Sequence, residues 1–285
     1  MQNDLLKKIE TLIPNMTSAQ KKVADLIISD SFGAAFSTID KLAHASGVST
    51  ASVIRLANTV GYSTFSEFQE DLKECMRTAA APVHRLAMNT QDADYVPEGI
   101  ASDVFRQGIE NLNMTFQNLT DELFKDIAIR LDQAEKIFIT GARTSESTAK
   151  YLTFNLNRIF QNTVYVGEAL SDQFDLIKKA DASSVVIVIS NSRYHKALCE
   201  TAVRCREKGS CVIGVTDSYD SPLAARSDIQ LIGKCWSVDF HNSILSQIMI
   251  ADVLIKACSE VNPKRVKDNL EYAEQFFRQG SYYMR

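Results

Sequence analysis

The sequence predicts a two-part protein: an all-α helix-turn-helix domain followed by an α/β domain with a five-stranded parallel sheet flanked by helices. Three observations carry this. Residues 1–78 read as consecutive short helices with capping residues at their starts and no strand pattern. After about residue 133 the apolar period turns from helical to strand-like, and short uninterrupted apolar runs alternate with helical stretches. Between them, 79–100 moves through Ala-Ala-Ala-Pro, Asn-Thr-Gln-Asp-Ala-Asp, Pro97 and Gly99 without a sustained period, as a linker does. At 285 residues the chain can bury two cores, so domains are expected over 1–78 and 101–285.

The elements follow in order. Thr17 with Gln20 has the form of a capping box, and Ser37 with Asp40 an imperfect one, Asp replacing Glu or Gln. Gly47 and Gly61 stand where helices should stop. Residues 101–133 read as two helices, the second capped by Thr120. Strands are expected over Lys136–Thr140, Thr163–Val166, Ser184–Ser190, Cys211–Thr216 and Asp228–Ile232. Helices are expected near 145–160, 170–179, 195–208 and 241–259. A continuous apolar strand such as Val185–Ile189, set between helices, indicates a parallel sheet covered on both faces.

Composition excludes several classes. No apolar run approaches the ~20 residues needed to cross a bilayer. The N-terminus lacks the basic, apolar and small-residue regions of a secretory signal, so a cytoplasmic protein without a membrane role is expected. The six cysteines, Cys75, Cys199, Cys205, Cys211, Cys235 and Cys258, form no C-x-x-C pair and are expected to be reduced and mostly buried. Residues 1–78 hold eight Lys or Arg against nine Asp or Glu, so no bulk basic field draws them to phosphates. DNA binding there must rest on local geometry.

Such a geometry is present. Two helices joined through Gly47 over 37–60 have the spacing of a motif whose second helix enters the major groove. Winding Ser49–Val60 at 100° per residue puts Val53, Leu56, Ala57 and Val60 on one stripe. The opposite face carries Ala51, Ser52, Arg55, Asn58 and Thr59. Arg can grip guanine, Asn can read adenine, and small methyl groups can touch thymine. Ser49 and Thr50 can offer hydroxyls and backbone N–H groups to a phosphate. Helix-Gly-helix also packs inside many all-α domains, where Arg55 would be a surface charge, and spacing alone does not separate the two readings. Lys21, Lys22 and Lys41 could clamp phosphates or be solvated.

In an open parallel sheet, ligands bind beyond the carboxyl ends of the strands. The loops after the first and third strands are polar: Gly141-Ala-Arg-Thr-Ser and Ser190-Asn-Ser-Arg-Tyr-His, each opening a helix. Hydroxyls of Ser145, Ser190 and Ser192 beside two helix N-termini make an anion cradle, and Arg143 and Arg193 add charge-assisted contacts. His195 can face the same ligand. The serines could instead be ordinary helix caps. The first loop is not a dinucleotide fingerprint, because Arg143 stands where a pyrophosphate's approach needs glycine. Glu168 could act as a base or as a cap, and His195 and His241 are equally helix-start residues. With no Ser/His/Asp arrangement and no metal-ligand cluster visible, no catalytic residue, metal or cofactor is assigned.

These residues together resemble the RpiR family, regulators with an N-terminal helix-turn-helix and a C-terminal sugar isomerase (SIS) domain. The resemblance rests on the blocks Met16–Asp25, Ile39–Leu56 and Gly61–Phe68 in the first half. In the second half it rests on Ile139–Ser145, Val188–Ser192, Gly214–Ala224 and Gln247–Leu254. It implies a homo-oligomer, dimer or tetramer, reading a palindromic double-stranded DNA operator and controlling genes of carbohydrate or related catabolism. It also implies sugar-phosphate contacts from Ser145, Ser190 and Ser192. The chain departs from the family pattern at Arg143 and Arg193, where glycine is usual, and at His195, where Ser or Thr is usual.

The leading expectation is therefore a regulator, not an enzyme, switched by a small anionic metabolite with a sugar phosphate as the expected ligand. The alternative is a sugar-phosphate isomerase or related enzyme with an accessory helical domain, which would need a base and a second proton-handling group. A third reading makes the N-terminal helices a protein-interaction module and Arg55 and Ser52 dispensable for DNA binding.

Overall fold

The computed structural model describes residues 4–35, 37–79 and 99–280. The expected linker falls almost entirely outside them. The chain divides into two compact units, the first built on the helices before residue 80 and grouped with Val238–His241, the second on the rest of the chain from Gly99.

The first unit contains α1 (Asp4–Leu12), α2 (Ser18–Ser29), α3 (Ser31–Ala35), α4 (Ile39–Ser46), α5 (Thr50–Val60) and α6 (Phe65–Ala79). The α2 start is the expected capping box: Thr17 Oγ1 accepts from Gln20 N at 3.4 Å, and Gln20 Oε1 accepts from Thr17 N at 2.9 Å. The second expected box is not formed. Thr38, one residue later, caps α4 by accepting from Lys41 N at 3.3 Å. The Ser37 hydroxyl instead donates back to Gly33 O at 2.7 Å. Adjacent hydroxyl residues compete for one cap, and the one that reaches the N3 amide takes it. Gly47 adopts φ 63° and ends α4, a left-handed conformation that costs a side-chain-bearing residue about 1–2 kcal/mol. Ile9, Val23, Ile27, Leu42, Leu56 and Phe68 lie at the centre of this unit's core.

The second unit opens with α7 (Ile100–Phe116) and α8 (Asp121–Gln133), the latter capped as expected by Thr120, whose hydroxyl accepts from Leu123 N at 3.3 Å. There follow β1 (Lys136–Gly141), α9 (Ser145–Phe160), β2 (Thr163–Val166), α10 (Leu170–Lys179), β3 (Ser184–Ile189), α11 (Lys196–Glu207), β4 (Cys211–Thr216) and β5 (Ile229–Ile232). The chain ends in α12 (Leu245–Val261) and α13 (Pro263–Gly280). All five expected strands form, in the order β2-β1-β3-β4-β5, every pair parallel. Helix α12 begins at Leu245 rather than near 241, which leaves His241 outside it. Helix α13 has no counterpart in the sequence reading. Its start is a proline at the first helical position, and Asn262 Oδ1 accepts from Arg265 N at 3.2 Å.

The continuous apolar strands bury alternate residues on opposite faces. Ile137, Ile139, Val185, Ile187, Ile213 and Leu231 pack in one core with α8, α9 and α12. Phe138, Val186, Val188 and Val212 pack in another with α10 and α11. Such burial stabilises by roughly 1.5–3 kcal/mol per large side chain. The order matters for function. From β1 the chain steps outward to β2 and then returns to the far side of β1 as β3, so the loops after β1 and β3 emerge side by side at a topological switch point. Gly141 lets α9 start close over β1: a Cβ there would lie 2.7 Å from Ser145 O.

Candidate functional site

Val53, Leu56, Ala57 and Val60 of α5 are fully buried, as the stripe requires, while Ala51, Arg55 and Asn58 are exposed and Ser52 is half-buried. Ser49 and Thr50 open the helix, but Ser49 caps it with no side-chain bond. Its hydroxyl instead lies 3.1 Å from that of Ser52. Thr59 is exposed. Its hydroxyl donates to Arg55 O and accepts from Gln20 Nε2, both at 2.8 Å, so its proton is committed within the unit while its methyl is open to a base. Gln20 Nε2 donates also to Arg55 O at 3.1 Å. The sequence reading gave Gln20 a capping role alone, and nothing in local pattern signals the second one.

In the second unit, Gly141 pairs with Ile189, so the expected ligand loops begin from adjacent positions. Ser145, Ser190 and Ser192 are all buried. Ser145 is not the cap of α9; Thr144 holds that position without a side-chain bond, and Ser145 Oγ accepts from Asn191 Nδ2 at a long 3.5 Å. Ser190 Oγ accepts from His195 N at 3.3 Å and so shapes the turn into α11. Ser192 O accepts from Asn242 Nδ2 at 3.2 Å. The half-buried His195 has an Nδ1 with no hydrogen-bond partner.

Arg143 and Arg193, one on each loop, share an unusual backbone. Their φ angles are 56° and 65°, the left-handed region that costs a non-glycine residue about 1–2 kcal/mol. Both side chains are exposed. Glu168 Oε2 accepts from Arg143 N at 3.0 Å, which ties the first loop to the chain after β2 and gives this carboxylate a structural role. His241, the other residue weighed for proton transfer, is exposed and meets the Phe240 ring edge-on.

Three residues without an expected role complete the strand ends. Asn191 and Gln247 are buried and bonded to each other, Gln247 Nε2 to Asn191 Oδ1 at 3.0 Å. Asp217 is buried just after β4, where Thr216 Oγ1 donates to its Oδ1 at 3.2 Å. Burial pushes the Asp217 carboxyl up from its ordinary range, against the hydrogen bonds it accepts and the charge of Lys234. The available signal for Asn191 was its place between two serines at a strand end.

Among the described residues no cluster of His, Cys, Asp or Glu could hold a metal ion, and no helix is long and apolar enough to cross a membrane. Cys199, Cys205, Cys235 and Cys258 are buried and form no disulfide, and burial pushes the Cys205 and Cys258 thiols up to about 12.

Comparison with known proteins gives these sites a family. Residues 3–78 match the helix-turn-helix domain of the rpiR family and residues 130–257 match the SIS domain, together more than two thirds of the chain. An HTH-type transcriptional regulator HexR of Pseudomonas aeruginosa is 27% identical over 277 residues, covering 93% of this chain and 91% of its own. The sugar isomerase domain of an RpiR transcription factor from Sphaerobacter thermophilus has the same fold as the second unit, with a TM-score of 0.60 and 23% identity over 62% of this chain and 98% of that one. The NanR protein of Vibrio vulnificus, complexed with ManNAc-6P, aligns with a TM-score of 0.60 and 20% identity over 96% of this chain and 98% of its own. The chain belongs to the rpiR family: it is a helix-turn-helix transcriptional regulator with a SIS domain.

Proposed function

We propose that the protein is a ligand-switched regulator of carbohydrate or related catabolic genes, whose effector is a small anionic metabolite, a sugar phosphate, held at the strand ends of the SIS domain. The observation that carries this is the pairing of the two loops at the β1/β3 switch point. The first supplies buried Ser145, the second buried Ser190 and Ser192, and each carries one arginine held on a left-handed backbone. Strain retained in two neighbouring loops, both ending in a charge suited to phosphate, marks a site built for a ligand more than for stability. The NanR protein of the same fold carries a sugar phosphate, ManNAc-6P, which supports the ligand class.

On this reading Ser145, Ser190 and Ser192 donate to the phosphate, with Arg143, Arg193 and His195 at its rim. Arg55, Asn58, Ala51 and Ser52 read base edges, while Ser49 and Thr50 hold a phosphate. The protein works in the cytoplasm as a homo-oligomer on a palindromic operator, with recognition helices near ~34 Å apart or a multiple of it when bound. The effector shifts the population between arrangements that meet this spacing and arrangements that do not.

The test is selection of fragments of the host genome by the purified protein, repeated with pooled metabolite phosphates and acids. Recovery of one palindromic site whose binding responds to a sugar phosphate is expected. No specific DNA under any condition would overturn the reading.

A further inference from the structure

The side-chain amide of Gln247 is held in one orientation. Its Nε2 donates to Gly233 O at 2.9 Å and to Asn191 Oδ1 at 3.0 Å. A backbone carbonyl only accepts, so the nitrogen of Gln247 must face Gly233, and Asn191 must in turn present its oxygen. Asn191 then directs Nδ2 to Ser145 Oγ, which accepts there and keeps its own proton to donate elsewhere. Hydrogen-bond polarity therefore runs in one direction, from the end of β5 to the first turn of α9.

Gln247 Oε1 is left over from this relay. The residue is 1% exposed, and the oxygen has no hydrogen-bond partner. Ser246 beside it is fully buried, and its Oγ also lacks one. Both stand in the first turn of α12, joined through Asn191 to the same strand ends as Ser190 and Ser192. A buried acceptor carries its desolvation cost until a donor meets it, and donors are what the hydroxyls of a sugar supply.

We infer that Gln247 is a specificity-determining residue of the ligand site: its Oε1 accepts from a hydroxyl of a phosphorylated sugar, while Asn191 Nδ2, whose bond to Ser145 Oγ does not need Gln247, leaves the serine proton for the phosphate. This rests on the reading of the strand-end loops as the ligand site. The phosphate and the polyol portion are then recognised by different side chains, and inorganic phosphate satisfies only the first.

Calorimetric titration of the full chain with glucose 6-phosphate, fructose 6-phosphate, N-acetylmannosamine 6-phosphate and inorganic phosphate tests this. For each sugar phosphate that binds the wild type, Gln247→Met weakens binding on the order of 10- to 100-fold, the size of one buried acceptor left unmet. Inorganic phosphate stays within about twofold. Among single-deoxy analogues of that sugar phosphate, one loses as much with the wild type and loses nothing more with Gln247→Met. Should Gln247→Met fail to fold, Gln247→Asn, which keeps the amide but withdraws it by one methylene, is expected to show the same selective loss. Undiminished sugar-phosphate binding by the variant, or equal loss for sugar phosphate and inorganic phosphate, overturns the inference alone. A wild type that binds none of the four probes overturns it together with the reading of the site.

Discussion

Gln20 Nε2 donates to Thr59 Oγ1 across 2.8 Å, so the residue that closes the capping box of α2 also holds the back of α5. Gln20 is 8% exposed and uses both ends of its amide, Oε1 on Thr17 and Nε2 on Arg55 O and Thr59. The face that carries Arg55 and Asn58 is thereby set against the unit's core by a polar clamp as well as by Val53, Leu56 and Val60. Gln20→Ala removes a cap and leaves Thr59 and Arg55 O short of a donor, a loss of about 2 kcal/mol. Urea denaturation should show it, accompanied by weaker operator binding. An unshifted midpoint would mean that the clamp contributes nothing.

Arg55 and Ser190 belong to different units and are expected to fail separately. Arg55→Ala removes the charged, exposed centre of the α5 face and should abolish operator binding while calorimetry still detects the sugar phosphate. Ser190→Ala should do the reverse, binding operator with a response to the metabolite that is lost. Equal loss of both activities in either variant would argue against two sites.

Much of this architecture is legible in the sequence because it depends on near neighbours. Val53, Leu56, Ala57 and Val60 declare a helical stripe, and the runs Lys136–Gly141 and Ser184–Ile189 declare buried strands, since periodicity is a local property. What escapes is decided by partners far along the chain. Asn191 and Gln247 meet across 56 residues, and Gln20 and Thr59 across 39, so neither pair leaves a spacing to read. The left-handed backbone at Arg143 and Arg193 escapes for another reason: propensity assigns such a conformation to glycine, and only tertiary structure imposes it on arginine. Between Ser37 and Thr38 the sequence holds two hydroxyls for one cap, and only the geometry chooses.

Asp217 predicts a pH dependence of stability with a definite sign. Burial raises its carboxyl above the unfolded value of 3.8, so the unfolded chain releases this proton at lower pH than the folded one. The contribution of Asp217 is therefore fully present below the unfolded value and is lost as pH rises through the folded one. Asp217→Asn can still accept from Thr216 and carries no charge to bury. The variant is expected to match or exceed the wild type in unfolding free energy at pH 8, with the advantage shrinking toward pH 4. A variant that is less stable at pH 8 would show that the ionised carboxylate is held by more than it costs.

Arg143→Gly and Arg193→Gly separate stability from function at one place. Each variant relieves a left-handed residue at φ 56° or 65°, worth about 1–2 kcal/mol, against a glycine entropy cost of roughly 0.5–1 kcal/mol in the unfolded chain. The net is a gain of up to about 1 kcal/mol in unfolding free energy. The Glu168 bond to Arg143 N survives, because it is made to the backbone. If the guanidinium groups grip the effector, the same variants bind the sugar phosphate about tenfold more weakly, one charge-assisted contact each. Thermal unfolding and calorimetry on the two variants read both quantities. More stable proteins with unchanged affinity would leave the arginines as strained surface charges and would place recognition of the anion on the serines alone.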